Sequence, residues 1–449
     1  MLFSYNDLRV NVIHITPPHL RGLFLHRLII TLIIFTLSCW ILFYNNPTVL
    51  RFSEEAFRDW AVRGAANSSS AVEQRAVVVD IDEDSILKLG PWPWERSMIA
   101  TLIENLLADY EAKAVAVDIV FPEPGNAAGD EKIAILAQFA PVVLSQVFDY
   151  SSRQSRLAVG TLAGTVHLPN LPNAAEATGY IANHRGLGSS PHVGNIGFAP
   201  DPDGNLRKAN LVTLFDTAQY PSLALVTAQL THNFHLDPIK FKASIRIPFD
   251  KPLSAYTVIP AHRVLERSAP KELIQGKAIF IGSSSLGLGD RVATPLSPQT
   301  SGVFAHVALY SGLLEGYPDG LQRSAVGNWL ALGWITLMCS LAFSRFHTQP
   351  ASHNIVMILV AAALWFGVAA WLAVNFVEAN LSAPIVTLLG LILLLVPYDW
   401  QTSQNKSKFL TKTLRHHISA ALAQEVIESG VTNPLAPKFE TITVLVVDP

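Results

Sequence analysis

The sequence predicts an α/β domain held on the outer face of a membrane by four transmembrane helices. Three observations predict it. Four apolar stretches approach the ~20 residues that span a bilayer. Lys and Arg are distributed unevenly between the segments that join them. Between the first and second stretches, β-rich apolar runs ending in acids alternate with segments of helical spacing.

The 449 residues are 50% hydrophobic and 15% charged, too apolar for an ordinary soluble enzyme and too polar for a pure transporter. A net charge of -3 gives no basic nucleic-acid signature. Both cysteines, Cys39 and Cys339, lie inside apolar stretches. That excludes a disulfide staple across an external domain and a cysteine-based metal cluster.

The first apolar stretch covers residues 28–43, preceded by Arg21, His26 and Arg27. Its long leader and the lack of a nearby small-x-small site favour a signal anchor over a cleaved signal peptide. Three more stretches cover 326–343, 355–376 and 381–398. Arg345, His347 and His353 follow the second, only Glu378 stands between the third and fourth, and Lys406, Lys408, Lys412 and Arg415 follow the last. The positive-inside rule then puts residues 1–27 and the C-terminus in the cytoplasm and residues 44–325 outside, in a bacterial-type inner membrane.

Within 44–325, residues 75–82 read as a buried strand, 97–107 as a helix and 114–121 as a second strand, giving a parallel pair joined by a crossover. Residues 131–139 read as a short helix, 142–146 and 277–281 as strands and 304–314 as a helix. In such sheets ligands settle at the carboxyl ends of the strands. Asp80, Asp82, Asp118 and the Gly-rich loop ending at Asp290 fall there. They are either a binding site or a set of helix caps and turn anchors.

Between Gly90 and Arg96, two prolines stiffen a turn that carries Trp92 and Trp94, suited to packing or to ligand stacking. A local acid and an anion are the candidate partners of Arg96. The turn around Asp203 and Gly204 has the wrong Gly position for an EF-hand and no Glu at the required distance, so it reads as a tight turn. The Gly282–Asp290 loop lacks the Gly-Lys-Ser/Thr ending of a P-loop and is favoured as a structural turn. No credible Ser-His-Asp set or metal-spaced His cluster is present.

Several motifs, taken in order, resemble one family. They are the strand ending Asp80-Ile81-Asp82, the Trp92–Arg96 turn, the strand ending in Asp118, the Asp201–Arg207 turn, Tyr220-Pro221-Ser222, Ile279–Ser284, Asp290–Pro295 and Ser301–His306, with Ser301 where the family usually has Pro. Together they resemble a CHASE2 domain, which implies an extracytoplasmic sensor with an undefined ligand. Residues 406–430 and 438–449 resemble the coupling helix and first strand of a class III adenylate/guanylate cyclase, an α+β domain. In that family Asp448 would be the first metal-binding Asp for Mg²⁺ or Mn²⁺, although Val447 replaces the usual aromatic and Pro449 the usual aliphatic residue. The resemblance implies a homodimeric receptor in cyclic-nucleotide signal transduction, taking ATP or GTP with a complete cyclase domain.

The chain ends as that domain begins. It lacks the second metal-binding Asp and the residues that recognise the base and stabilise the transition state, so it is expected to be inactive alone. Two rivals remain. One is a sensor histidine kinase with His417 as acceptor, though the acid-Leu-Arg that normally follows is absent. The other is a stand-alone membrane sensor or interaction protein.

Overall fold

A computed structural model describes residues 18–44, 48–151, 155–168, 174–236, 243–286, 291–316, 321–345, 349–375, 377 and 379–415. Two compact units divide the chain, one of residues 40–334 and 364–384, the other of residues 1–39, 335–363 and 385–449.

The sheet of the first unit follows from its strand sequences. β1 (Ala76–Asp80), β2 (Ala114–Val117) and β3 (Val142–Asp149) are largely buried apolar runs, as strands covered on both faces must be. The short strands β4 (Ala158–Val159), β5 (Gly179–Ile181) and β6 (Val193–Asn195) follow, then β7 (Thr257–Pro260) and β8 (Ala278–Gly282). The order is β7-β1-β8-β2-β3-β5-β4, with β6 also paired to β3. β7 to β3 run parallel, and β5 is antiparallel to β3. β1 and β2 are therefore parallel but not adjacent, unlike the pair expected from their order in the chain. β8, buried along its whole length, lies between them. A wholly apolar strand belongs at the centre of such a sheet.

Alternation along β1 sends Val77 and Val79 to one face and Ala76 and Val78 to the other. The first face packs under α4 (Arg96–Ala108), α5 (Ala127–Phe139) and α7 (Ala261–Leu265). The second packs under α6 (Leu223–His232) and α8 (Gly302–Glu315). This is a mixed α/β sandwich with helices on both sides.

A helix that the sequence reading did not single out, α2 (Thr48–Ser68), joins the unit through charge. Its Asp59 receives the guanidinium of Arg207, which is buried and also bonds Asp201 at 2.9 Å and Asp203 at 2.6 Å. Asp201 and Asp203 are presented by a tight turn in which Gly204 adopts φ 84° and its amide bonds the Asp201 carbonyl. Glycine takes that left-handed conformation without steric cost. The bonds from Arg207 hold the Asp203 carboxyl well below the usual carboxylate range. Another α2 acid, Glu54, accepts the amides of Leu381 and Ser382.

A second buried cluster closes the far end of α8. Lys251 bonds Glu73 at 2.9 Å, Ser311 at 2.8 Å and Glu315 at 2.8 Å, and Arg75 pairs with both Glu73 and Glu315.

Among the described residues, four helices are long and apolar enough to cross a membrane: Phe24–Phe43, Ala325–Arg345, Ala351–Val374 and Ser382–Asn405. They belong to α1 (Pro18–Phe43), α9 (Leu321–Arg345), α10 (Ala351–Val374) and a helical run from Ser382 to Arg415 that holds one π turn at Leu391–Leu395. Between 22% and 44% of each apolar window is covered by the chain itself. Most of this surface therefore faces outward and calls for an apolar surrounding. In the second unit Arg27 pairs with Asp399 at 3.3 Å, and Ser38 and Thr387 share a hydrogen bond of 2.8 Å. The last helical run carries the chain without a break into the stretch expected to be a coupling helix. The rest of that stretch, and 438–449, lie outside the described residues, as does His417.

Burial alone would raise the Glu73 carboxyl, but hydrogen bonds from Ser311, the Arg75 backbone, Lys251 and the Arg75 side chain outweigh it and bring it down to about 2. A depressed folded value means that its stabilisation is complete above the ordinary value of 4.5 and is lost as pH falls towards 2. Urea midpoints of the full chain in detergent should fall through that window, and Glu73→Gln should flatten the fall. Parallel curves for the two proteins would contradict this assignment.

Candidate functional site

The carboxyl ends of β1, β8 and β2 open into a cavity of about 400 Å³. Small-molecule sites typically hold roughly 300–1,000 Å³. Ile81 follows β1, Ser283 follows β8 and Asp118 follows β2, so the strand ends themselves supply the floor. The first turn of α8, at Gly302 and Val303, forms one wall. It comes close because β8 ends in Gly282, where a Cβ would lie 2.7 Å from the Val303 Cβ. Trp92, Arg96 and Phe121 complete the opposite side.

The Trp-rich turn divides its labour. Trp94 is buried in the core and donates its indole N–H to the Gly90 carbonyl at 2.9 Å. Trp92, half-buried with its ring 5.8 Å from that of Trp94, lines the cavity. Arg96 opens α4 and lies over the Phe121 ring at 4.4 Å, a cation–π contact. It also reaches Asp130 at 3.3 Å and the Glu123 carbonyl at 3.2 Å.

Asp118 stands 3.8 Å from His306 of α8. His306 is wholly buried and stacks on Phe198 with ring centroids 4.5 Å apart. Burial holds its ring down to about 3, against a smaller upward pull from a bond to the Ile196 backbone. Burial therefore favours the neutral form of the imidazole.

The other strand-end acids hold structure. Asp82 caps α3 (Glu83–Leu89), accepting the Ser85 amide at 2.8 Å. Asp80 accepts the Ser284 amide at 2.8 Å and its hydroxyl at 2.5 Å, while Glu83 accepts the Leu286 amide at 2.8 Å. Burial, the largest effect, pushes the Asp80 carboxyl up against those bonds. Among the described residues of the Gly/Ser loop, the Ser284 and Leu286 donors are thus taken by Asp80 and Glu83, which weakens its likeness to a phosphate cradle. Asp203 belongs to the Arg207 cluster, away from the cavity. Asp290 and Asp448 lie outside the described residues.

Of the residues singled out in the sequence, the fold therefore brings Trp92, Arg96 and Asp118 together. Phe121, Ser301 and Val303 were missed as cavity residues. Phe121 carried a signal, since it ends the same apolar run as Asp118 just before Pro122.

A family profile described as the CHASE2 domain matches residues 30–344, more than two thirds of the chain. The chain belongs to the CHASE2 family. CHASE2 is an extracellular sensory domain of signalling proteins, and the four apolar helices mark a membrane protein. Searches of curated proteins and of solved structures gave no match. The matched span of the CHASE2 domain contains every cavity residue named above.

Replacing Asp80 by Ala leaves the Ser284 donors without their acceptor, at a cost of about 1–2 kcal/mol. Hydrogen exchange should accelerate at residues 283–286 while β2 stays protected. Unchanged exchange in the loop would contradict the anchoring role.

Proposed function

We propose that this chain is a membrane receptor whose CHASE2 domain, outside the cytoplasmic membrane, binds a small signal molecule in the Trp92–Asp118 cavity and regulates a cytoplasmic class III adenylate or guanylate cyclase. One observation carries the sensing half. α8 lines the cavity with Gly302 and Val303, runs through the sandwich, and ends at Glu315 in the Lys251 cluster, shortly before α9 begins. A ligand that displaces the first turn of α8 pushes on a rod of about 21 Å, leading by chain to the second apolar helix. Gating by such small helix shifts is a familiar switching device.

The orientation rests on the Lys and Arg of residues 345 and 406–415 against their absence between the third and fourth apolar helices. The bonds from Glu54 of α2 to Leu381 and Ser382 agree with it, since both lie on the outer side in this arrangement. The cyclase half rests on the resemblance of residues 406–449. There Asp448 would ligate Mg²⁺ or Mn²⁺ beside the triphosphate of ATP or GTP, a hard oxygen ligand for a hard cation. Homodimerisation follows from the same reading, because class III sites form between two catalytic domains.

The test has two arms, run on the full-length gene product in cells without their own cyclases. Membranes should form cyclic AMP or cyclic GMP with Mg²⁺ or Mn²⁺. In intact cells an impermeant maleimide should label Leu87→Cys, whose native side chain is exposed, and should reach Ser407→Cys only after permeabilisation. Absence of cyclic nucleotide sinks the cyclase half, and reversed labelling sinks the orientation.

A further inference from the structure

We propose that α2 is an interfacial helix, laid against the membrane with Val49, Phe52, Ala56 and Trp60 in the lipid leaflet on the sensory domain's side. The inference goes beyond the receptor reading. It needs only that the chain spans a membrane, and neither the cavity nor a cyclase enters it.

The helix carries its charges inward and its apolar residues outward. At about 100° per residue, Val49, Phe52, Ala56 and Trp60 fall within an arc of about 80°. All four are exposed, Val49 at 75% and Trp60 at 66%. The charged residues of 48–60 are Arg51, Glu54, Glu55, Arg58 and Asp59, and all five lie outside that arc. Asp59 is buried against Arg207, Glu55 pairs with Arg246 at 2.5 Å, and Glu54 accepts the amides of Leu381 and Ser382. A surface helix in water shows the reverse pattern, with charge outside and an apolar stripe on the core. Ser53, at the edge of the stripe, donates its hydroxyl to the Val49 carbonyl at 3.1 Å, so this donor is satisfied within the helix and needs no water.

The neighbours of the stripe identify what covers it. α2 starts shortly after α1 ends at Phe43, which keeps its first turns near the end of the first apolar helix. The Phe57 ring, on the flank of the stripe, lies 5.7 Å from Trp60 and 5.5 Å from Phe366. Phe366 belongs to the apolar helix α10, where Leu364, Val368 and Trp371 are exposed as well. The outward apolar surface of α10 therefore continues onto α2, and one lipid phase covers both. Beyond Trp60 the same arc turns polar, with Arg63 and Asn67 exposed on it. The stripe thus ends on a tryptophan, whose ring is apolar and whose N–H is polar, the residue type enriched where hydrocarbon meets water. Because Asp59 binds α2 to the sandwich through Arg207, lipid contact on the other side of the helix holds the sensory domain against the bilayer.

The experiment is power-saturation electron paramagnetic resonance on the full chain in lipid nanodiscs, with Cys39→Ala and Cys339→Ala and a nitroxide on Ala56→Cys or Asn67→Cys. Oxygen, which concentrates in the bilayer, should relax the label at 56 better than a water-soluble nickel chelate, placing it about 5–10 Å below the headgroup boundary. The order should reverse at 67. A label at 56 that favours nickel overturns the proposal. So does one shielded from both reagents, and dipolar broadening between labels would then name a second copy as the occupant. A second measurement keeps both native cysteines, in case their replacement disturbs the fold. Lipid brominated near the carbonyl end of its acyl chains should quench tryptophan emission, and Trp60→Phe should reduce the quenched component. An unchanged quenched component contradicts immersion of Trp60.

Discussion

Arg207 lies almost wholly out of water, with 3% of its side chain exposed, and carboxylates from two distant parts of the chain converge on it. Burying a guanidinium is costly unless it is paired and its donors are filled, and removing one partner from such a group costs about 3–5 kcal/mol. Here Asp59 comes from α2, while Asp201 and Asp203 come from the turn just before Arg207. α2 follows the first apolar helix after a short connection, so this cluster ties the segment leaving that helix to the sensory sandwich through charge as well as through packing. The Glu73, Lys251 and Glu315 cluster does the same for the end of α8, which precedes the second apolar helix. Both segments that lead towards the membrane are thus fixed to the sheet by buried ionic groups with little freedom to slide.

The other end of the sandwich is built differently. The strand ends there stop at Asp80, Gly282 and Asp118, and the groups beyond them leave a cavity. Asp80 and Asp82 are absorbed by Ser284 and by the start of α3, which steadies the rim, and Asp118, Arg96 and Trp92 are among the residues that line the open space. α8 links the two ends. Its first turn is packed against a glycine so closely that a methyl group would collide with it, and its last turn is held by ions. A displacement at one end of a stiff helix anchored in this way is felt at the other, and this gives the sensory reading its physical content.

Much of this was legible in the sequence because the central strands are buried on both faces. Such strands are written as apolar runs, and β1, β2, β8 and the start of β3 all announce themselves in that way. The alternation of strand and helix pointed to the mixed α/β class, and the apolar helices needed only length and composition. The order of the strands was not legible. β8 enters between β1 and β2 although most of the domain's sequence separates it from β2, and nothing local to it records its neighbours. α2 was hidden for a related reason: its buried residues are Asp59, Ala61 and Ala66, so no buried stripe of large apolar side chains marks it, and Asp59 makes sense only beside Arg207, 148 positions away. At the cavity, Trp92, Arg96 and Asp118 stood out as unusual residues at strand ends or turns. Val303 and Ser301 enter only because the fold brings the first turn of α8 against Gly282.

The most direct test of the clamp is hydrogen exchange on the full chain in nanodiscs, comparing the native protein with Arg207→Met, which keeps length and bulk while removing the charge. The account predicts faster exchange in residues 48–68 and 201–207 together, with β1, β8 and β2 still protected. Unaltered protection of residues 48–68 would contradict it, and would mean that α2 is held to the sandwich by apolar packing alone.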